Sequence, residues 1–168
     1  MMARRAPLGA VLACLGAAAA IVGSFLPWAH VTIFRNSLIG SAITFDPSGW
    51  KGDGNAVFAL GVGAMVVGIV LLWRDVGRTG TVLRTVLLIA GLAIGAVTFW
   101  DTTHVSSRFS YLAHQIAAEK RITHVAPRIH TRVALGIVIA ATGGVLLVFA
   151  AAIDRLLAEE EVVVEEDD

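Results

Sequence analysis

Apolar and charged positions divide the chain into four long uncharged runs separated by polar connections. Residues 7–27, 56–73 and 133–153 carry no charge, and residues 82–100 carry only Arg84, near one edge. A helix crossing the hydrocarbon core of a bilayer needs about 20 such residues, and each run comes close to that length. The repetition predicts an all-α integral membrane protein, a four-transmembrane-helix bundle. The first run has a rival reading as a secretory signal, because Arg4 and Arg5 precede it and small residues follow. It continues past Ala17–Ala20 through Ile21, Val22, Phe25 and Leu26. That is longer than a signal's apolar region, so a retained helix is expected. Val11-Leu12-Ala13-Cys14 faintly resembles a lipobox, but the apolar run before it is short, and Cys14 reads as a buried thiol.

The connections have patterns of their own. In residues 28–55, His30-Val31-Thr32-Ile33-Phe34-Arg35 and Ser41-Ala42-Ile43-Thr44-Phe45 are rich in β-branched and aromatic residues and flank a turn around Asn36 and Gly40. This predicts a small extracytoplasmic β-hairpin in the first outer loop. An isolated hairpin is marginal in water and needs the helix ends for support. Asp46 to Asn55, with three glycines, reads as tight turns and a cap for the second helix. The spacing of its carboxylates does not fit an EF-hand loop. Residues 101–132 form a second outer loop, long enough to be the expected functional region. Within it Phe109, Leu112 and Ile116 share one helical face, which predicts a separate amphipathic helix over 107–121, lying on the membrane surface.

Composition supports the bilayer reading. The chain has 168 residues, 57% hydrophobic and 15% charged, with a mean hydropathy of +0.78. A globule of this size has no interior large enough for so much apolar surface. The net charge is zero, so nothing in it favours nucleic acid as a partner. With Cys14 the only cysteine, a disulfide within the chain is excluded. Eight of the thirteen acids lie in the last fifteen residues. The expected organisation is a transmembrane domain over 1–156 and an acidic cytoplasmic tail over 157–168. The tail is read as disordered, or as a dock for a basic partner through Val162–Val164.

Arg4 and Arg5 before the first run, and Arg74, Arg78 and Arg84 around the second connection, put those regions inside by the positive-inside rule. Both termini are then cytoplasmic. Arg108, Lys120, Arg121, Arg128 and Arg132 oppose this, so the first helix and the tight connection decide it. Trp28, Trp50, Trp73 and Trp100 fall at or near run ends and are expected to anchor at the interface. Gly9, Gly16 and Gly23 repeat every seven residues, and Gly91 and Gly95 form a G-x-x-x-G step; these are the expected helix-packing positions.

Candidate chemistry is thin. His104, His114, His124 and His130 lie in the second outer loop and His30 in the first. Imidazoles suit zinc or copper and could sense pH. No pair has the i, i+4 spacing of a helical metal site, so interfacial histidines are the plainer reading. Asp101 and His104 could pair, but no nucleophile accompanies them. Catalytic and phosphate-binding motifs are missing, and no cofactor is implied. Runs without interior charge argue against a pump or transporter.

Gly23-Ser24-Phe25-Leu26-Pro27-Trp28, followed by Gly49-Trp50-Lys51-Gly52-Asp53-Gly54, resembles a group of small four-helix actinobacterial integral membrane proteins of unknown function. In these an L-P-W ends the first helix and a G-x-x-G-D-G turn opens the second. The resemblance covers roughly residues 8–75 and implies architecture, not activity. The layout is also similar to claudins in topology, without their cysteine pair. The expected function is a non-enzymatic membrane scaffold or accessory subunit in the lipid bilayer, contacting a membrane-protein partner or a second copy. The alternatives are an oligomeric channel, or a metal or pH sensor using the loop histidines.

Overall fold

The computed structural model describes residues 8–34, 42–73, 77–119 and 128–165. The chain forms α1 (Leu8–Phe25), β1 (Ala29–Phe34), β2 (Ala42–Phe45), a 3-10 turn (Gly49–Lys51), α2 (Gly54–Trp73), α3 (Gly77–Glu119), β3 (Arg128–Val133) and α4 (Leu135–Glu165). Four stretches are long and apolar enough to cross a membrane: Leu8–Phe25, Gly54–Trp73, Gly80–His104 and Leu135–Ile153. They coincide with the four predicted runs to within a few residues at each end.

Packing follows residue size. The buried face of α1 consists of Gly9, Ala10, Ala13, Gly16, Ala17, Ala20, Gly23 and Ser24, while Val11, Leu15, Val22 and Phe25 point outward. That face lies against α4 and α2, and α4 also packs on α3. With no side chain between them, α1 and α4 meet backbone to backbone. A methyl group at Gly16 would sit 2.8 Å from the Gly143 carbonyl oxygen, and one at Gly23 2.6 Å from the Ala140 nitrogen. Gly91 meets α4 in the same way, 2.7 Å from the Gly144 oxygen. Gly9 is also buried. Gly95 differs: a methyl there meets nothing within 4 Å. It borders an apolar groove of about 300 Å³ that Leu92, Val145 and Phe149 also line. Of the G-x-x-x-G step, Gly91 leaves no room for a side chain, while Gly95 borders Gly144 with its backbone nitrogen and has open space at its own β-position.

Large apolar side chains are exposed on the outer faces of all four helices, among them Val66, Ile69, Ile89, Phe99, Leu135 and Phe149. Hydroxyls within the apolar helices turn back onto the chain. Thr142 on α4 donates to the Val138 carbonyl at 2.9 Å, buried Thr98 to Ile94 at 2.9 Å, and Ser24 to Ile21 at 2.6 Å. Each uses the free lone pair of a helical carbonyl, so none of these three hydroxyls needs water.

Beyond one end of the bundle the expected hairpin is present as β1 and β2, paired antiparallel with Val31 opposite Phe45 and Phe34 opposite Ala42. Its turn, residues 35–41, lies outside the described residues. The sheet has a third strand that the sequence reading placed in the loop. β3 pairs antiparallel with β1 from Ala29–Val133 to Phe34–Arg128, in the order β2-β1-β3. The fourth helix therefore starts at Leu135, with residue 133 in the strand. α3 corrects a second expectation. It runs unbroken through Glu119, so 107–119 is the upper part of a 43-residue helix and not a separate surface helix. Between Gly95 and Glu119 the sequence has no glycine or proline to stop it. α4 likewise continues to Glu165, so most of the tail read as disordered is helical backbone.

The glycine contacts yield a prediction. Gly23→Leu should destabilise the protein by about 1–3 kcal/mol, as overpacking of a filled interface does, while Gly95→Leu should leave it near wild type. Unfolding midpoints in mild detergent measure both. Equal midpoints for the two variants would mean that the α1–α4 approach carries no stability.

Candidate functional site

The junction between bundle and sheet is built around Trp28. Trp28 is 5% exposed, and its indole N–H donates to the Gly23 carbonyl at 2.8 Å. Its backbone N–H donates to Pro47 and its carbonyl accepts from Ala134, at 2.9 and 3.0 Å. Gly49 lies under the ring so closely that any side chain there would collide with the indole. The Gly49 N–H donates to Leu26, and Pro27 bridges to Ser48. The two sequence motifs, around Gly23–Trp28 and Gly49–Gly54, are thus one interlocked unit. At the start of α2 the Asp53 carbonyl accepts the first helical bonds, from Ala56 at 3.0 Å and from Val57 at 3.3 Å. Trp28 is accordingly a buried clasp and not an interface anchor, because its N–H is satisfied inside the protein.

The other three tryptophans are exposed. Trp73 stands at the opposite end of the bundle from the sheet, where α2 ends. Trp50 stacks on Phe25, with ring centroids 5.0 Å apart, and Phe58 meets both edge-on. Trp100 stacks on His104 at 4.1 Å. Aromatic rings at both ends of the apolar helices match the girdle of a membrane-spanning bundle.

The strand period then separates two faces of the sheet. Ala29 and Val31 are fully buried, and β1 and β3 both lie against α3. The alternate residues face outward. Asp46, just past β2, approaches His30, and the register sets His30 opposite Arg132, Thr32 opposite His130 and Thr44 opposite Thr32. His30 Nδ1 and Asp46 Oδ1 are 2.7 Å apart, with the side chains 49% and 46% exposed. An ionised carboxylate only accepts, so in this contact His30 Nδ1 is the donor. His30, Thr32, His130 and Arg132 together line a shallow groove of about 320 Å³.

The predicted histidine set is therefore only partly gathered here. His130 joins the groove, with His30 from the other outer loop. His104 is elsewhere, on α3, its Nδ1 3.0 Å from the Trp100 carbonyl and 3.0 Å from the Thr103 hydroxyl. His114 lies on the helical backbone of α3, its side chain outside the described residues, and His124 lies outside them altogether. Among the described residues no group of three His, Cys, Asp or Glu side chains could hold a metal ion. Sequence reasoning missed Arg132 and Thr32 as neighbours of the histidines. The alternation in Arg128-Ile129-His130-Thr131-Arg132-Val133 was the available signal, a polar–apolar period of two.

The clasp is testable. Trp28→Phe removes the indole donor and should cost about 1–3 kcal/mol, the scale of an unmade buried hydrogen bond. Trp50→Phe should cost less than half as much. Comparing the unfolding midpoints checks this, and indistinguishable variants would deny Trp28 its structural role.

Compared with known proteins, the chain matches no family model, and no curated protein matches it either.

Proposed function

We propose that the chain is a multi-pass protein of the bacterial plasma membrane, with both termini cytoplasmic and the sheet outside. In this reading it serves as a non-enzymatic scaffold or accessory subunit of a membrane complex. Four apolar helices with exposed large side chains support membrane insertion, since soluble monomers rarely expose contiguous apolar surface of this extent. Arg74, between α2 and α3, and Arg78, in the first turn of α3, support the orientation.

The observation that carries the scaffold reading is the closure of the bundle by backbone contact. Among the described residues the buried polar or charged side chains are Ser24, Thr98 and Asp101. Ser24 and Thr98 are satisfied within their own helices, and Asp101 also has a partner. Such an interior offers a solute no polar lining, which weighs against the channel alternative. What remains for function is the sheet, held rigidly above the bundle by the Trp28 clasp, and the helical extensions of α3 and α4. The metal-sensor alternative would need ligands from beyond the described residues.

Orientation is checked by labelling. In a Cys14→Ala background, Thr44→Cys should react with a membrane-impermeant maleimide in intact cells. Protection until lysis would invert the topology. The role is checked by crosslinking in cells that express the tagged protein at native level. One reproducible membrane partner is expected, and recovery of lone monomer would remove the accessory reading.

A further inference from the structure

The outer face of the sheet has more hydrogen-bond donors than the protein itself uses. His30 and Arg132 are opposite each other, as are Thr32 and His130, and all four side chains line one groove. The Asp46 carboxylate on the same face is engaged by His30 Nδ1 at 2.7 Å. Arg132 and His130 are exposed, and among the described residues neither has an ion-pair or hydrogen-bond partner. Two strand spacings of about 4.8 Å separate Arg132 from the Asp46 side of the row. The groove therefore presents a guanidinium with five N–H donors, the His130 imidazole and the Thr32 hydroxyl, and it is bordered by His30, whose Nδ1 proton is already committed to Asp46.

That donor set suits an oxyanion. Arginine pairs with planar or tetrahedral oxygens through two parallel N–H bonds. A divalent cation is a poor fit, because Arg132 repels it and no three described ligands converge. A volume of about 320 Å³ is also more than a bare ion fills. It lies at the lower end of pockets that take small molecules, about 300 Å³ upward.

Depth indicates where the oxyanion comes from. His30 follows the end of α1 by five residues, and Arg132 precedes α4 by three. At about 3.3 Å per strand residue, Arg132 lies within about 10 Å of the apolar helix end. The headgroup layer of a bilayer is about 5–8 Å thick, and an arginine side chain spans the difference. We propose that the groove formed by His30, Thr32, His130 and Arg132 binds a phosphate group, and that this phosphate belongs to a lipid headgroup of the leaflet on the sheet side. The inference rests on insertion of the bundle in a membrane and is independent of the accessory role.

The test uses the full chain with ¹⁵N-labelled arginine in bilayer nanodiscs, read by ³¹P dephasing of the Arg132 side-chain nitrogens in solid-state NMR. Arg132→Gln assigns the signal. Reconstitution itself reports whether the bundle inserts, so failure of the membrane reading shows before any phosphate contact is measured. Phosphatidylglycerol bilayers should give close contact. Phosphate-free galactolipid bilayers should give none until millimolar inorganic phosphate is added. Contact with inorganic phosphate but not with phosphatidylglycerol would overturn the lipid source, and contact in neither would overturn the site.

A second variant separates the groove from the casual contact any interfacial arginine makes. Thr32→Val with His130→Gln, both at the sheet surface, should weaken the Arg132–phosphate contact about tenfold, the scale of one charge-assisted hydrogen bond. Undiminished contact in that variant, with circular dichroism unchanged, would mean that Arg132 acts alone and that no site exists.

Discussion

The rest of the structure depends on the backbone-to-backbone approach of α1 and α4. In apolar surroundings helices gain nothing from expelling water and associate through close contact alone. Gly16 against Gly143, and Gly23 against Gly136 and Ala140, allow that contact because no β-carbon stands between the chains. Ordinary helix pairs keep their axes about 8–10 Å apart. Strands pair at about 4.8 Å. Where α1 and α4 touch through their backbones, β1 leaves the one and β3 enters the other side by side, and the two strands pair as soon as the helices end. Gly136 donating to Pro27 and Ala134 donating to Trp28 are the bonds at which helix packing passes into sheet pairing.

This contact also explains how a short hairpin becomes a stable platform. Two strands alone are marginal; a third strand anchored in α4 and a tryptophan anchored in α1 secure them. Trp28 joins three segments: it donates to the last turn of α1, covers Gly49, and bonds through its backbone to Pro47 and Ala134. The sheet's position is thereby tied to the helices that carry it.

That surface is uneven in charge. His30 and Asp46 satisfy each other, while Arg132 and His130 face outward from the same groove. An exposed His–Asp contact contributes little to stability, about 1 kcal/mol or less, so its consequence is mainly geometric: it sets the orientation of the His30 ring. Thr32 and Thr44 continue the polar rows along the face. The aromatic cluster of Phe25, Trp50 and Phe58, at the same end of the bundle, marks the level at which apolar surface gives way to polar surface.

The sequence by itself determined the four apolar helices, the β1–β2 hairpin and the glycine-lined face of α1. These follow from run length, strand-like composition and small-residue spacing, properties carried by residues close together in the chain. It also marked Gly23–Trp28 and Gly49–Gly54 as notable without indicating that they touch. Only the tertiary structure decided that Trp28 is buried, that Gly95 faces open space beside Gly91, that β3 exists, and that His30 meets His130 and Arg132 across a hundred residues of chain. A tryptophan near a helix end reads the same whether its N–H meets a headgroup or the Gly23 carbonyl. A polar six-residue stretch reads as a loop until α1 and α4 bring it beside β1. Composition and period belong to one segment, whereas strand pairing, glycine contact and the lining of a groove belong to pairs of segments, and the packing of the helices chooses the pairs.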